Sequence, residues 1–192
     1  MGWLYMRSLD GHSGPRQYLD AQFTYERPNV TSKVIKSALI RMRVYYAAVE
    51  HIYKDIGQRD VWGLVCLVHY NPRDREGYIF GYKDMEESMG PCECECPSSI
   101  LDLLTPTDNE YAQEWRARCR ARADKSPPRA GQTIVFEQPV SFSDGKTFQR
   151  LDVVPNPRWR GRVLFRDPDS GGLYRITNIK DKDYRIQTPG GA

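Results

Sequence analysis

Residues 32–54 read SKVIKSALIRMRVYYAAVEHIYK, and two periodicities compete in them. Val34, Ile35, Ala38, Leu39, Met42 and Tyr46 fall on one helical stripe. Val34, Ile35, Ile40, Val44, Tyr45, Tyr46, Val49, Ile52 and Tyr53 supply the β-branched and aromatic side chains that suit a pleated surface. The downstream sequence decides between them. A turn at Asp55 to Arg59 leads directly into the strand-like run Val61 to Tyr70, so 32–54 is expected to form strands of an antiparallel meander.

Upstream, the apolar Met1 to Ser8 is expected to be a buried first strand. It lacks the basic leader and small-residue cleavage site of a secretory signal. Asp10-Gly11 and Ser13-Gly14-Pro15 form a turn, with Ser13 and Pro15 placed as at a helix start. The short helix that follows carries Tyr18, Leu19, Ala21 and Phe23 on one face and ends by Arg27-Pro28, because the residue before proline avoids the helical region. Downstream, Asn71 to Asp74 is a loop and Gly77 to Tyr82 a short strand. Lys83 to Pro91 is expected to be an acidic turn or helical turn. Pro97-Ser98-Ser99 start a short helix through Leu104. Thr107 and Glu110 have capping-box spacing, and Tyr111, Trp115 and Cys119 at i, i+4 and i+8 predict a longer helix with one buried stripe.

Lys125-Ser126-Pro127-Pro128-Arg129 interrupts all regular structure. Beyond it, Thr133 to Phe136, Val140 to Phe142, Phe148 to Val154, Arg162 to Phe165, Leu173 to Ile179 and Tyr184 to Gln187 predict short strands separated by turn-rich segments. The expected fold is therefore α+β. An antiparallel sheet with a few helices spans 1–125, followed by a small basic all-β part over 126–192, barrel- or sandwich-like. Residues 126–192 carry 11 Lys/Arg against 7 Asp/Glu, whereas the preceding residues carry 17 against 18, so the basic character of the chain lies at its C-terminal end. No run approaches the roughly 18 apolar residues of a membrane span. Five cysteines, three of them alternating within Cys92 to Cys96, make a poor disulfide framework and point to a reducing cytoplasm.

Cys92, Cys94 and Cys96 could project to one side of an extended chain, with Cys119, Cys66 or His69 as a fourth ligand. Structural zinc, however, prefers cysteine pairs spaced by two to four residues, and Glu93 and Glu95 disfavour thiolates beside them. No metal and no cofactor are expected. A zinc deaminase is excluded, since no His-x-Glu precedes the cysteines and their spacing is wrong. The chain has three histidines and no Gly-x-Ser-x-Gly elbow, which leaves Cys96 with His12 or His69 as a spatial pair without motif support. Lys83, Asp84, Glu86 and Glu87 concentrate charge in one short turn, where a desolvated carboxylate could do acid/base work. The plainer reading of that turn is capping and ion pairing.

Arg116, Arg118, Arg120 and Arg122 alternate along the predicted long helix. In the C-terminal part Arg158-Trp159-Arg160-Gly161-Arg162 joins basic residues to an aromatic one, a combination suited to phosphate contact and base stacking. Arg158, Trp159, Arg160, Arg162, Arg116 and Arg120 are the candidate binding residues.

Met1-Gly2-Trp3-Leu4, together with Gly81-Tyr82-Lys83-Asp84-Met85-Glu86-Glu87-Ser88-Met89-Gly90-Pro91, Cys96-Pro97 and Trp115-Arg116, resembles a family of small proteins carried on bacterial plasmids, phages and integrated elements, a domain of unknown function. The resemblance covers about the first 125 residues. It implies that Cys96-Pro97 is kept while the positions of Cys92 and Cys94 are often aromatic. It also implies a setting, in which small proteins of mobile elements assist transfer or blunt host defence by binding a host protein, a protein complex or nucleic acid. The expectation is thus a non-enzymatic binding protein. An enzyme using the Tyr82 to Glu87 turn, with Lys83, Asp84, Glu86 and Cys96 as its candidates, and a nucleic-acid-binding module resting on the C-terminal β part are the alternatives.

Overall fold

A computed structural model describes residues 4–7, 9–70, 77–84 and 93–187, with the backbone alone for 4–7 and 82–84. The chain divides into two compact units, Met1–Ala123 and Asp124–Ala192. The fold is α+β, with two antiparallel sheets and three α-helices among the described residues.

The first unit is built on six strands, β1 (Leu4–Arg7), β2 (Tyr25–Glu26), β3 (Val30–Ile40), β4 (Val44–Tyr53), β5 (Gln58–Tyr70) and β6 (Tyr78–Asp84), in the order β1-β6-β5-β4-β3-β2. Strands β2 to β6 are a meander, and β1 returns to pair antiparallel with β6. The contested stretch 32–54 is strand throughout, apart from its turn. Its helix-like stripe has a physical cause: β3, which carries four of the stripe's six residues, and β4 are each covered on both faces. Tyr46 and Ala48 pack into one core with Val61, Val65, Ile100, Leu101, Trp115 and Cys119. Tyr45, Ala47 and Val49 pack into the other with Tyr18, Leu19, Leu64, Cys66 and Phe80. A strand buried on both sides is a continuous apolar run rather than an alternating one. A bulge between Val34 and Lys36 adds to the confusion. Val34 faces the second core and Ile35 the first, but beyond the bulge Ala38 and Ile40 face the first and Leu39 the second. One extra residue has exchanged odd for even.

Helix α1 (Pro15–Gln22) covers the second core, with Tyr18 stacked on Phe80 at 4.9 Å. Gly14, not Ser13, is its N-cap. Ser13 instead donates from its amide and hydroxyl to Oε1 of Gln17, both at 2.8 Å. The first core is closed by α2 (Ser98–Leu101) and α3 (Glu110–Asp124). Two features of α3 differ from expectation. Oδ1 of Asn109 accepts from the amide of Ala112 at 3.1 Å, while Oγ1 of Thr107 accepts from the amide of Asn109 at 3.2 Å, and Glu110 is already the first helical residue. The cap is therefore Asn109. The buried stripe is Ala112, Trp115 and Cys119, whereas Tyr111 is 52% exposed on the solvent side of the first turn.

The second unit holds β7 (Thr133–Ser141), β8 (Thr147–Pro155), β9 (Val163–Arg166), β10 (Leu173–Tyr174) and β11 (Tyr184–Gln187) in the order β10-β9-β8-β7-β11. The two strands expected over 133–142 are one, with a register shift between Val135 and Val140. Pro139, which has no N–H to give the ladder, falls in the interruption. The strand expected over 173–179 stops at Tyr174 and is followed by a 3-10 turn, Ile179–Asp181. Ile176 and Ile179 still pack on the core of Ile134, Phe136, Leu151, Val153 and Phe165. Among the described residues no helix is long and apolar enough to cross a membrane.

Candidate functional site

The connection from β8 to β9 is short, and its own backbone ties it together. Oδ1 of Asn156 accepts from the amides of Arg158 and Trp159 at 2.9 and 3.2 Å, as an Asx turn does. The amide of Asn156 donates to the carbonyl of Arg162 at 2.9 Å, and the amide of Arg162 to that of Trp159 at 3.1 Å. Gly161 takes φ +79, a left-handed conformation that strains any side-chain-bearing residue. The loop so fixed holds Trp159 50% exposed.

Two guanidiniums lie close to that indole. Cζ of Arg162 lies 5.6 Å and Cζ of Arg175 5.7 Å from the ring centroid, near the ~6 Å outer limit of a cation–π contact. Arg162 belongs to the same loop. Arg175 follows β10 and arrives through the hairpin between β9 and β10, where Leu173 pairs with Arg166 and Tyr174 with Phe165. That hairpin is closed by a knot around the buried Asp167. Its carboxylate accepts from the amide of Asp169 at 3.1 Å and from the hydroxyl of Ser170. Its amide and carbonyl bond Gly172 and Gly171, each at 2.9 Å. The sequence reading missed Arg175, because no local pattern distinguishes it.

Arg158, Arg160, Arg162 and Arg175 are all exposed, and among the described residues none has a carboxylate within ion-pair distance. The arginines of α3 differ. Arg116 donates to the carbonyl of Thr105 at 2.8 Å, Arg120 pairs with Asp102 at 2.8 Å, and Arg122 pairs with Glu95, which Arg41 also approaches at 3.4 Å. Arg116 and Arg120 thus anchor the 93–105 segment of the first unit.

The cysteines fall into two places. Cys94, Cys96 and Cys119 share the core under α2 and α3, and Cys66 lies in the core on the other face of the sheet. A hydrogen bond with Cys94, then burial, pushes the Cys119 thiol far up, and burial does the same to Cys96 and Cys66. These thiols are held protonated, the opposite of what a nucleophile needs. Among the described residues no group of three or more His, Cys, Asp or Glu could hold a metal ion. Cys92 lies outside the described residues. His12 packs edge-on against Tyr18 in the opposite core from Cys96, and His69 is exposed on β5. Neither pairs with Cys96.

Strand β6 continues through Lys83 and Asp84, which pair with Val65 and Leu64, so these two residues belong to the sheet and not to a turn. Glu86 and Glu87 lie outside the described residues, as do the side chains of Lys83 and Asp84.

Residues 106–179 match a family model described as Domain of unknown function (DUF6927). The matched span is under half of the chain, and it contains α3, β7 to β10, the Trp159 loop and Arg175. No curated protein and no solved structure matches the chain.

Proposed function

We propose that the protein is a non-enzymatic binding protein that contacts nucleic acid through the loop carrying Arg158, Trp159, Arg160 and Arg162, joined by Arg175. One observation carries the reading: a half-exposed Trp159 has two guanidiniums within 6 Å of its ring, and among the described residues neither these nor Arg158 and Arg160 of the same loop have carboxylate partners. Exposed cations that are not neutralised internally displace counterions from a phosphate backbone, which is the main source of sequence-independent affinity. The acid-free loop lies in the part of the chain where basic residues outnumber acidic ones 11 to 7. The five-stranded sheet that presents it is read as the wall of a small half-open barrel. A mobile element acting on a host defence complex or nucleic acid is the setting implied by the N-terminal resemblance, and the cysteine usage supports a reducing cytoplasm.

The test is a titration of the purified chain against labelled oligonucleotide over a salt series. Replacing Arg158, Arg160 and Arg162 by Ala leaves the melting temperature within a degree or two. The same change weakens binding and makes the salt slope shallower by about 2, since each phosphate contact on a single strand contributes about 0.7. Equal affinity and equal slope in wild type and variant would overturn the proposal.

A further inference from the structure

We infer that the ligand of this surface is single-stranded nucleic acid, with Trp159 as the platform on which an unpaired base stacks and Arg162 and Arg175 as the clamp on the phosphates beside it. The inference rests on the reading above and narrows it. In a duplex the faces of the bases are covered by their neighbours, and groove readers present an α-helix or strands carrying hydrogen-bonding side chains. The described residues of the second unit include no α-helix beyond its first residue, and its loop sets an exposed indole among its arginines, a side chain suited to stacking on a base face. Every base has a π-face, so an exposed aromatic ring within a basic patch is the device of strand binders that do not read sequence.

Three details favour stacking over incidental exposure. The Asn156 turn and the Arg162 amide fix the backbone on both sides of Trp159, so little ordering entropy remains to be lost on binding. The two guanidiniums stand more than 5 Å from the ring centroid and Trp159 is half-exposed, while among the described residues neither cation is engaged by a carboxylate. They also come from two different segments, Arg162 from the loop between β8 and β9 and Arg175 from the chain after β10. The clamp therefore acts on a few adjacent nucleotides and not along a groove.

The experiment uses the full chain with two probes, a labelled oligothymidylate and a duplex of the same length, at one salt concentration. The single strand is expected to bind at least tenfold more tightly than the duplex and to quench tryptophan fluorescence. Trp159→Ala should weaken oligothymidylate binding roughly 5- to 150-fold, the range of one base–aromatic stack, with the salt slope unchanged. Trp159→Phe should restore most of the affinity, and Arg175→Ala should lower the slope by about 0.7. If the duplex binds as well as the single strand, or Trp159→Ala binds as wild type does while the arginine variants are weakened, the nucleic-acid reading stands and the stacking inference falls. If neither probe binds, both fall.

Discussion

The indole N–H of Trp62 on β5 donates to Nε2 of His51 on β4 at 3.0 Å. That bond fixes the imidazole as a neutral acceptor, with its proton on Nδ1. Burial depresses the pKa of His51, and the carboxylate of Asp60, its partner across the ladder, opposes this. Tyr53 packs edge-on against the same ring.

A pH dependence of stability follows. As pH falls through about 6.5, an unfolded histidine takes up a proton that the folded site resists, so the unfolded state is favoured. Folding stability is therefore lost on acidification from about pH 7 to pH 5. The melting temperature of wild type should drop more over that interval than that of His51→Gln, whose amide oxygen can still accept from Trp62. Equal drops would show that His51 does not couple to folding.

Trp115 is fully buried and donates from Nε1 to the carbonyl of Glu93 at 2.9 Å. It therefore fills the core beneath α3 and also fastens the 93–105 segment. Trp115→Ala should cost about 3–5 kcal/mol in urea unfolding. Trp115→Phe should lose about 1–3 kcal/mol, because the Glu93 carbonyl is left without its donor.

The hairpin between β3 and β4 turns through Arg41 and Met42 at φ 51 and 57, closed by a bond from the Arg43 amide to the Ile40 carbonyl at 3.0 Å. Both central residues have the positive φ of a type I′ turn, which favours Asn-Gly. Met42 is 57% exposed. Met42→Gly should stabilise the chain by about 0.5–1 kcal/mol, the relief of left-handed strain less the added freedom of the unfolded chain. A lower melting temperature for this variant would mean that the Met42 side chain makes a contact worth more than the strain.

Thiol chemistry offers a fourth check. Because burial holds Cys66 and Cys96 protonated, and a hydrogen bond with Cys94 together with burial does so for Cys119, iodoacetamide at mildly alkaline pH should alkylate them at least about tenfold more slowly in the native chain than in urea. Mass spectrometry of peptides resolves each site. Rapid native modification of Cys96 or Cys119 would restore the case for thiol reactivity there.

The strands and the long helix were legible because each buries an apolar face, but where those faces end was not. Tyr111 sits at the right spacing for the α3 stripe and faces solvent instead, since Ala112 occupies the buried position one residue on. Thr107 and Asn109 are both good caps, and the choice between them depends on where the chain enters from Thr105, which is bonded to Val61 of β5. At the site, the Arg-Trp-Arg-Gly-Arg string was readable because all its parts are local. Arg175 was not, because it reaches Trp159 through a strand pairing. Arg116 and Arg120 looked like equally good binding residues, and only the fold brings Thr105 and Asp102 against them. The first 125 residues carried the resemblance, yet the family match lies over 106–179, mostly on the basic β part.

The knot at Asp167 has a practical consequence for anyone wishing to transplant this site. Only two residue pairs join β10 to β9, and Asp167 with Ser170, Gly171 and Gly172 sets where they meet. One residue more or fewer in that connection would swap which side of the strand each following residue occupies, and Arg175 would leave the indole. A graft of residues 156–162 onto another hairpin would therefore carry Trp159 with one flanking cation, and the portable unit is the whole of 156–175.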